Sequence, residues 1–178
     1  MALLRRLYHY LSQPAADPAA DMLYRAAIAQ ARRVEFYRDL AVPDTIDGRF
    51  DMLLLHVVLV MRRLQDRPEV RQALFDLMFA DMDRNLREMG VGDMSIGKKI
   101  RPMISAFYGR AQAYEKALHE SDDVLKATLG RNLYAGKPVE AEILRRVTAQ
   151  VRKTVAALDA QPIEGLAEGL IEFPVPAV

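Results

Sequence analysis

The chain has 178 residues, 51% hydrophobic and 28% charged, with a formal net charge of +1 and no cysteine. That length fits one globular domain with a sizeable core, and the near-zero charge gives no overall pull toward nucleic acid. The missing cysteine excludes disulfides, thiolate metal ligands and a cysteine nucleophile, and fits a reducing compartment.

Apolar residues recur at helical spacing almost everywhere and no alternating strand pattern appears, so the fold class is all-α. The expectation is one domain over 1–178, a bundle of six to seven helices with an irregular C-terminal tail. Residues 1–12 read as an amphipathic helix, with Leu3, Leu4, Leu7, Tyr8, Tyr10 and Leu11 on one face and Arg5, Arg6 and His9 on the other. Two roles fit it: docking on the bundle, or contact with an anionic membrane through Arg5 and Arg6. No signal-peptide cleavage site follows it. Asp17 and Pro18 supply an N-cap and a first helical residue for a helix expected to run to about Leu40 and end before Pro43.

A turn-rich connector, "VPDTIDGRF", leads into a third helix over 49–66. It contains the longest apolar run, "MLLLHVVLVM" at 52–61, which is about half a bilayer core in length. A helix apolar nearly all round belongs in the middle of a bundle. Pro68 restarts a helix over 68–89, with Gly90 as its left-handed C-cap. Asp93 or Ser95 caps the next, whose stripe is Ile100, Ile104, Phe107, Ala111, Tyr114 and Leu118, and Pro102 is expected to split off a lead-in turn. Ser121 caps a helix over 122–133. The last long helix, 138–159, carries Leu144, Val147, Val151, Val155 and Leu158 on one side. Residues 160–178, with three Pro and two Gly, are expected to lie irregularly on the bundle.

The stretch "FADMDRNLREMGVGD", 79–93, is dense in carboxylates. As a calcium loop from Asp81 it fails, with Leu86 where Gly is needed and Gly92 where Glu is needed. A dimetal bundle needs Glu-x-x-His pairs, and none of His9, His56 and His119 follows a Glu by three. Zinc-protease, P-loop, dinucleotide and nucleophile-elbow motifs are all absent. Projected as a helix, Leu74, Met78, Met82, Leu86 and Met89 form the apolar face, with Asp76, Asp83 and Arg87 on the solvated side. Asp81 and Asn85 project into the apolar arc and Glu88 sits at its edge. A carboxylate withdrawn from water needs partners, so Asp81, Asn85 and Glu88 are expected to form a polar network with His56, Arg63 or Arg110. That network is either structural or part of a binding groove. Seven of the nine methionines fall between Met52 and Met103. Met78, Met82, Met89 and Met94 are therefore candidates for an adaptable apolar binding surface, with core packing as the other reading.

Several stretches together resemble the ubiquinol–cytochrome c chaperone family, assembly factors of the cytochrome bc1 complex. They are "FYRDLAVPDTIDGRFDMLLLHVVLVMRRL", "QALFDLMFADMDRNLREMGVGDMSIGKKIRPMISAFYGRAQAYEKAL" and "RNLY", within residues 30–145. The most specific positions are Asp76, Asp81, Asp83, Arg87, Glu88, Gly90, Gly92 and Asp93, then Gly109 and Arg110. The resemblance implies a non-enzymatic all-helical chaperone without cofactor or resident metal. Its client would be newly made cytochrome b or another bc1 subunit, with a small helper protein beside it and no nucleic acid. Mitochondrial members carry a long N-terminal extension. This chain begins almost at the domain, so a bacterial cytoplasmic protein, peripheral to the inner membrane, is expected. The competing reading is a helical carboxylate protein that holds a metal or ligand through Asp81, Glu88 and a His.

Overall fold

The computed structural model describes residues 17–176, and within them it is all helix and connector. The elements are α1 (Pro18–Ala31), α2 (Val34–Arg38), α3 (Ile46–Arg63), α4 (Pro68–Glu88), α5 (Asp93–Leu118), α6 (Asp122–Leu133), α7 (Ala141–Asp159) and α8 (Ile163–Ala167). The expected helix over 1–12, with Arg5 and Arg6, lies outside the described residues.

Helix α3 is the axis of the bundle. Met52, Leu54, Leu55, His56, Val57, Val58, Leu59 and Val60 are buried in succession, because α1, α4, α5, α6 and α7 all pack around it. It starts earlier than the turn-rich sequence suggested. Thr45 takes an extended conformation and accepts a bond from Gly48 N at 3.1 Å, which satisfies one orphan donor of the first turn. The connector folds so closely over this turn that a Cβ on Gly48 would sit 2.0 Å from the Pro43 carbonyl oxygen.

The expected helix from residue 18 to Leu40 is two helices. Asp17 caps α1 as foreseen, accepting from Ala19 N at 2.9 Å and Ala20 N at 3.1 Å. The chain then breaks at Arg33, which is extended (φ −61°, ψ 130°). Tyr37 O–H donates back to the Ala31 carbonyl at 2.6 Å. Apolar periodicity runs on through the break. Burial of Phe36, Leu40 and Val42 against the bundle overrides it.

Helix α5 is continuous through Pro102 and starts at Asp93 with Gly92, not a side chain, in the capping position. Its stripe is as expected, with Ile100, Phe107, Tyr114 and Leu118 buried and Ile104 and Ala111 half-buried. Helix α7 begins three residues later than expected, at Ala141. Arginines close helix C-termini, where carbonyls lack intrahelical partners. Arg63 donates to the carbonyls of Leu158 and Gln161 at 3.2 and 3.0 Å, and Arg152 to those of Leu118 and Glu120 at 2.6 and 2.8 Å.

The tail lies on the bundle and includes the short helix α8. Gln161 pairs both ways with the Glu172 backbone (2.8 and 2.9 Å), Gln30 donates to the Pro174 carbonyl at 3.0 Å, and Lys153 to that of Val175 at 3.2 Å. Phe173 thereby meets the His56 ring edge-on at 5.5 Å, as Phe36 does at 5.3 Å.

Candidate functional site

The α4–α5 hairpin emerges from the bundle. At its base the apolar face of α4 is deeply covered, with Leu74 and Met78 fully buried. Phe75 and Phe79 join Phe107 and Tyr108 of α5 in an aromatic cluster with centroids 4.7–5.8 Å apart. Toward the tip the cover thins. Met82 and Leu86 are half-buried, while Met89 is 59% exposed and Met94 93% exposed. Tyr108, also exposed, lies nearer the base, against Phe75. Of the four methionines expected to face a binding partner, Met89 and Met94 are exposed, Met82 is half-buried and Met78 is buried. Met78 sits in the core because it lies on the α4 face that the bundle covers.

The tip is built by the carboxylate-rich stretch. Gly90 is left-handed (φ 83°), its N–H reaching the Arg87 carbonyl at 2.9 Å while Val91 N reaches that of Leu86 at 3.0 Å. This is a Schellman cap, and it accounts for a glycine at that position. Arg87 donates to Asp83 Oδ2 at 2.7 Å and also to Asp93, so one guanidinium joins the end of α4 to the start of α5. Asp83 is less solvated than expected. Its side chain is 14% exposed and Oδ1 is buried with no donor among the described residues, since α5 packs on the Phe79 side one turn away. Asp76 accepts from Gln72 at 2.8 Å. Nothing in the structure explains a glycine at position 109.

The expected polar network does not form as one unit. Asp81 does lean inward, but its partner is on α1: Tyr24 O–H donates to Oδ2 at 2.9 Å, joined by Asn85 at 3.3 Å, with Arg84 on Oδ1 at 3.2 Å. Burial first, then the charge of Asp81 and its bond, hold the Tyr24 hydroxyl well above the ordinary phenol range. Glu88 is exposed. Arg63 caps α7, as described above.

His56 is enclosed elsewhere, with Nδ1 2.8 Å from the Met52 carbonyl. A carbonyl only accepts, so Nδ1 carries the proton. Burial pushes this imidazole down to about 4, against the opposing effect of that bond. Arg110 meets Asp51 at 3.1 Å. Asp51 is buried at the start of α3, and burial pushes its carboxyl up to about 6, with Arg110 pulling it back and Asp47 adding to the rise.

Two side chains that sequence reasoning did not single out, Tyr24 and Asp51, are thus the real partners of Asp81 and Arg110. Asp51 carried a signal, as a carboxylate opening a helix apolar on every side. Tyr24 carried none. For the metal reading, Asp81 is engaged by Tyr24, Asn85 and Arg84, His56 by the Met52 carbonyl and His119 by Glu115, while His9 lies outside the described residues. Among the described residues no three His, Asp or Glu side chains are grouped to hold an ion.

Comparison with known proteins places this architecture. The family model described as "Ubiquinol-cytochrome C chaperone" matches residues 38–173, extending through the tail beyond the expected 30–145. Ubiquinol-cytochrome-c reductase complex assembly factor 1 of Xenopus laevis is 25% identical over 83% of this chain and 76% of its own length. The Homo sapiens protein of that name is 26% identical over 83% of this chain and 51% of its own. Protein CBP3, mitochondrial, of Saccharomyces cerevisiae is 26% identical over 80% and 45%, so the chain spans about half the length of the latter two. The crystal structure of the Cbp3 homolog from Brucella abortus superposes with a TM-score of 0.80 at 30% identity, over 98% of this chain and 96% of that one. With the match to the family model covering most of its length, the chain belongs to the ubiquinol–cytochrome C chaperone family.

Proposed function

We propose that this protein is an assembly chaperone of the cytochrome bc1 complex that binds newly made cytochrome b. The exposed apolar end of the α4–α5 hairpin would take this client. The observation that supports this reading is the pairing of family membership with an unusual surface. Met89 and Met94 expose flexible apolar side chains at the end of a hairpin whose turn is built by Arg87, Asp83 and Asp93. Cytochrome b is a membrane protein, and an apolar helix needs a surface that adapts to its side chains without specifying them. Unbranched methionine provides that adaptability, and an apolar helix laid along a groove is a common recognition mode. No helix among the described residues is long and apolar enough to cross a membrane, so on this reading the client brings the membrane-spanning segments. The role calls for binding rather than catalysis, and a small helper protein would act beside it.

A photo-reactive amino acid at position 89 or 94, in a strain making cytochrome b, is expected to crosslink to the newly made protein. Met89→Asp with Met94→Asp should lower recovered cytochrome b by about tenfold or more, since burying one such side chain contributes ~1.5 kcal/mol or more. Crosslinks confined to another face, with the double variant binding normally, would remove the hairpin from the reading.

A further inference from the structure

The hairpin end carries, beside its methionines, a run of cations that client binding does not use. From Met94 to Tyr114 the chain has no Asp or Glu, yet it holds Lys98, Lys99, Arg101 and Arg110. Arg110 is occupied by Asp51 at 3.1 Å. Lys98, Lys99 and Arg101 are exposed and take part in none of the ion pairs of the described residues. The nearby acids are mostly committed: Asp81 to Tyr24, Arg84 and Asn85, and Asp83 and Asp93 to Arg87. Glu88, exposed, is the one carboxylate of the tip that forms no ion pair among the described residues. Met94, Lys98 and Arg101 are spaced i, i+4 and i+7, so they share one face of α5. That face is turned from the stripe of Ile100, Phe107 and Tyr114, which is buried.

We infer that this face of α5 docks on an anionic lipid bilayer, with Lys98 and Arg101 at the phosphates, Lys99 about 100° farther round the helix at the rim of the contact, and Met94 at the level of the upper acyl chains. Cations flanking a protruding apolar side chain match a membrane surface, where charge and hydrocarbon lie a few ångströms apart. RNA fits less well. The tip has no aromatic side chain on which a base could stack, and Met94, 93% exposed, would gain nothing from a phosphate backbone. The inference goes beyond the client reading and rests on it only in taking the hairpin end as the working surface. Docked in this way, the tip would lie at the depth where an apolar client helix meets it.

The test is sedimentation of the purified full chain with vesicles of phosphatidylcholine alone or mixed with phosphatidylglycerol, with no client present. Binding is expected only to the anionic vesicles and should weaken with salt. Each cation near an anionic surface is worth about fivefold, so Lys98→Glu, Lys99→Glu and Arg101→Glu together should lose on the order of 100-fold. Met94→Ser should weaken binding without removing its salt dependence. All four positions are exposed, and unchanged thermal unfolding of the variants would show that the fold is intact.

Unaltered binding by the triple variant would overturn the inference. So would loss of binding only in Arg5→Glu with Arg6→Glu, or retention of RNA on a filter where anionic vesicles fail to pull the protein down. Because cytochrome b is absent, failure here leaves the client reading standing, and failure of the crosslinking leaves this one standing.

Discussion

At the scale of single residues, Asp81 and Tyr24 are a hydrogen-bonded pair joining α4 to α1 at 2.9 Å. A net bond to a charged acceptor is worth roughly 1.5–3 kcal/mol, so Tyr24→Phe should lower stability by about that much in denaturant unfolding. Asp81→Asn, which keeps an acceptor, should cost less. Gly48 is a different case. Its cost when replaced comes from backbone, since a Cβ would stand 2.0 Å from the Pro43 oxygen and a carbonyl cannot swing away as a flexible side chain does. Gly48→Ala should destabilise by ~2 kcal/mol or more, seen as a lower melting temperature. Gly92→Ala, where a Cβ meets nothing within 4 Å, should leave that temperature nearly unchanged.

At the scale of elements, Arg87 and the Gly90 cap set how α4 turns into α5, and so where Met89 and Met94 stand. Replacing Arg87 with Ala removes two ion pairs at once. Both pairs are exposed on the arginine side, so the melting temperature should move little. Hydrogen exchange in residues 84–96, however, should accelerate, because local opening depends on local contacts. An unchanged exchange rate there would mean that the backbone cap alone holds the turn.

At the scale of the whole molecule, two buried titratable groups oppose each other across acid pH. The carboxyl of Asp51 is raised from 3.8 to about 6, so the folded state binds more protons in that interval. The stability it confers is complete below about 3.8 and lost as pH rises through 6. His56 is lowered from 6.5 to about 4, so the unfolded state binds more protons. Its contribution is complete above 6.5 and lost as pH falls through 4. At ~1.36 kcal/mol per unit each slope amounts to roughly 3 kcal/mol, and the two nearly cancel between pH 4 and 6. Asp51→Asn should therefore make unfolding free energy fall steeply as pH drops from 6.5 to 4. A flat profile in that variant would contradict the burial of His56. Phe173→Ala, by opening the tail's cover over the ring, should move the His56 titration back toward 6.5, readable by NMR.

Periodicity, proline positions and turn residues were enough to read most of the architecture. The central apolar helix, the Gly90 cap and the stripes of α5 and α7 follow from local rules, because a helix repeats every 3.6 residues whatever packs on it. The same rules show which way a side chain points, so the inward lean of Asp81 was legible. They do not show which element waits there. Tyr24 is 57 residues from Asp81 along the chain, and Arg110 met Asp51 rather than Asp81, because partner choice depends on how helices are brought together. The break at Arg33 and the burial of Met78 have the same origin. Each is decided by neighbours that only the tertiary structure supplies, and the exposure of Met89 and Met94 is decided by where that cover ends.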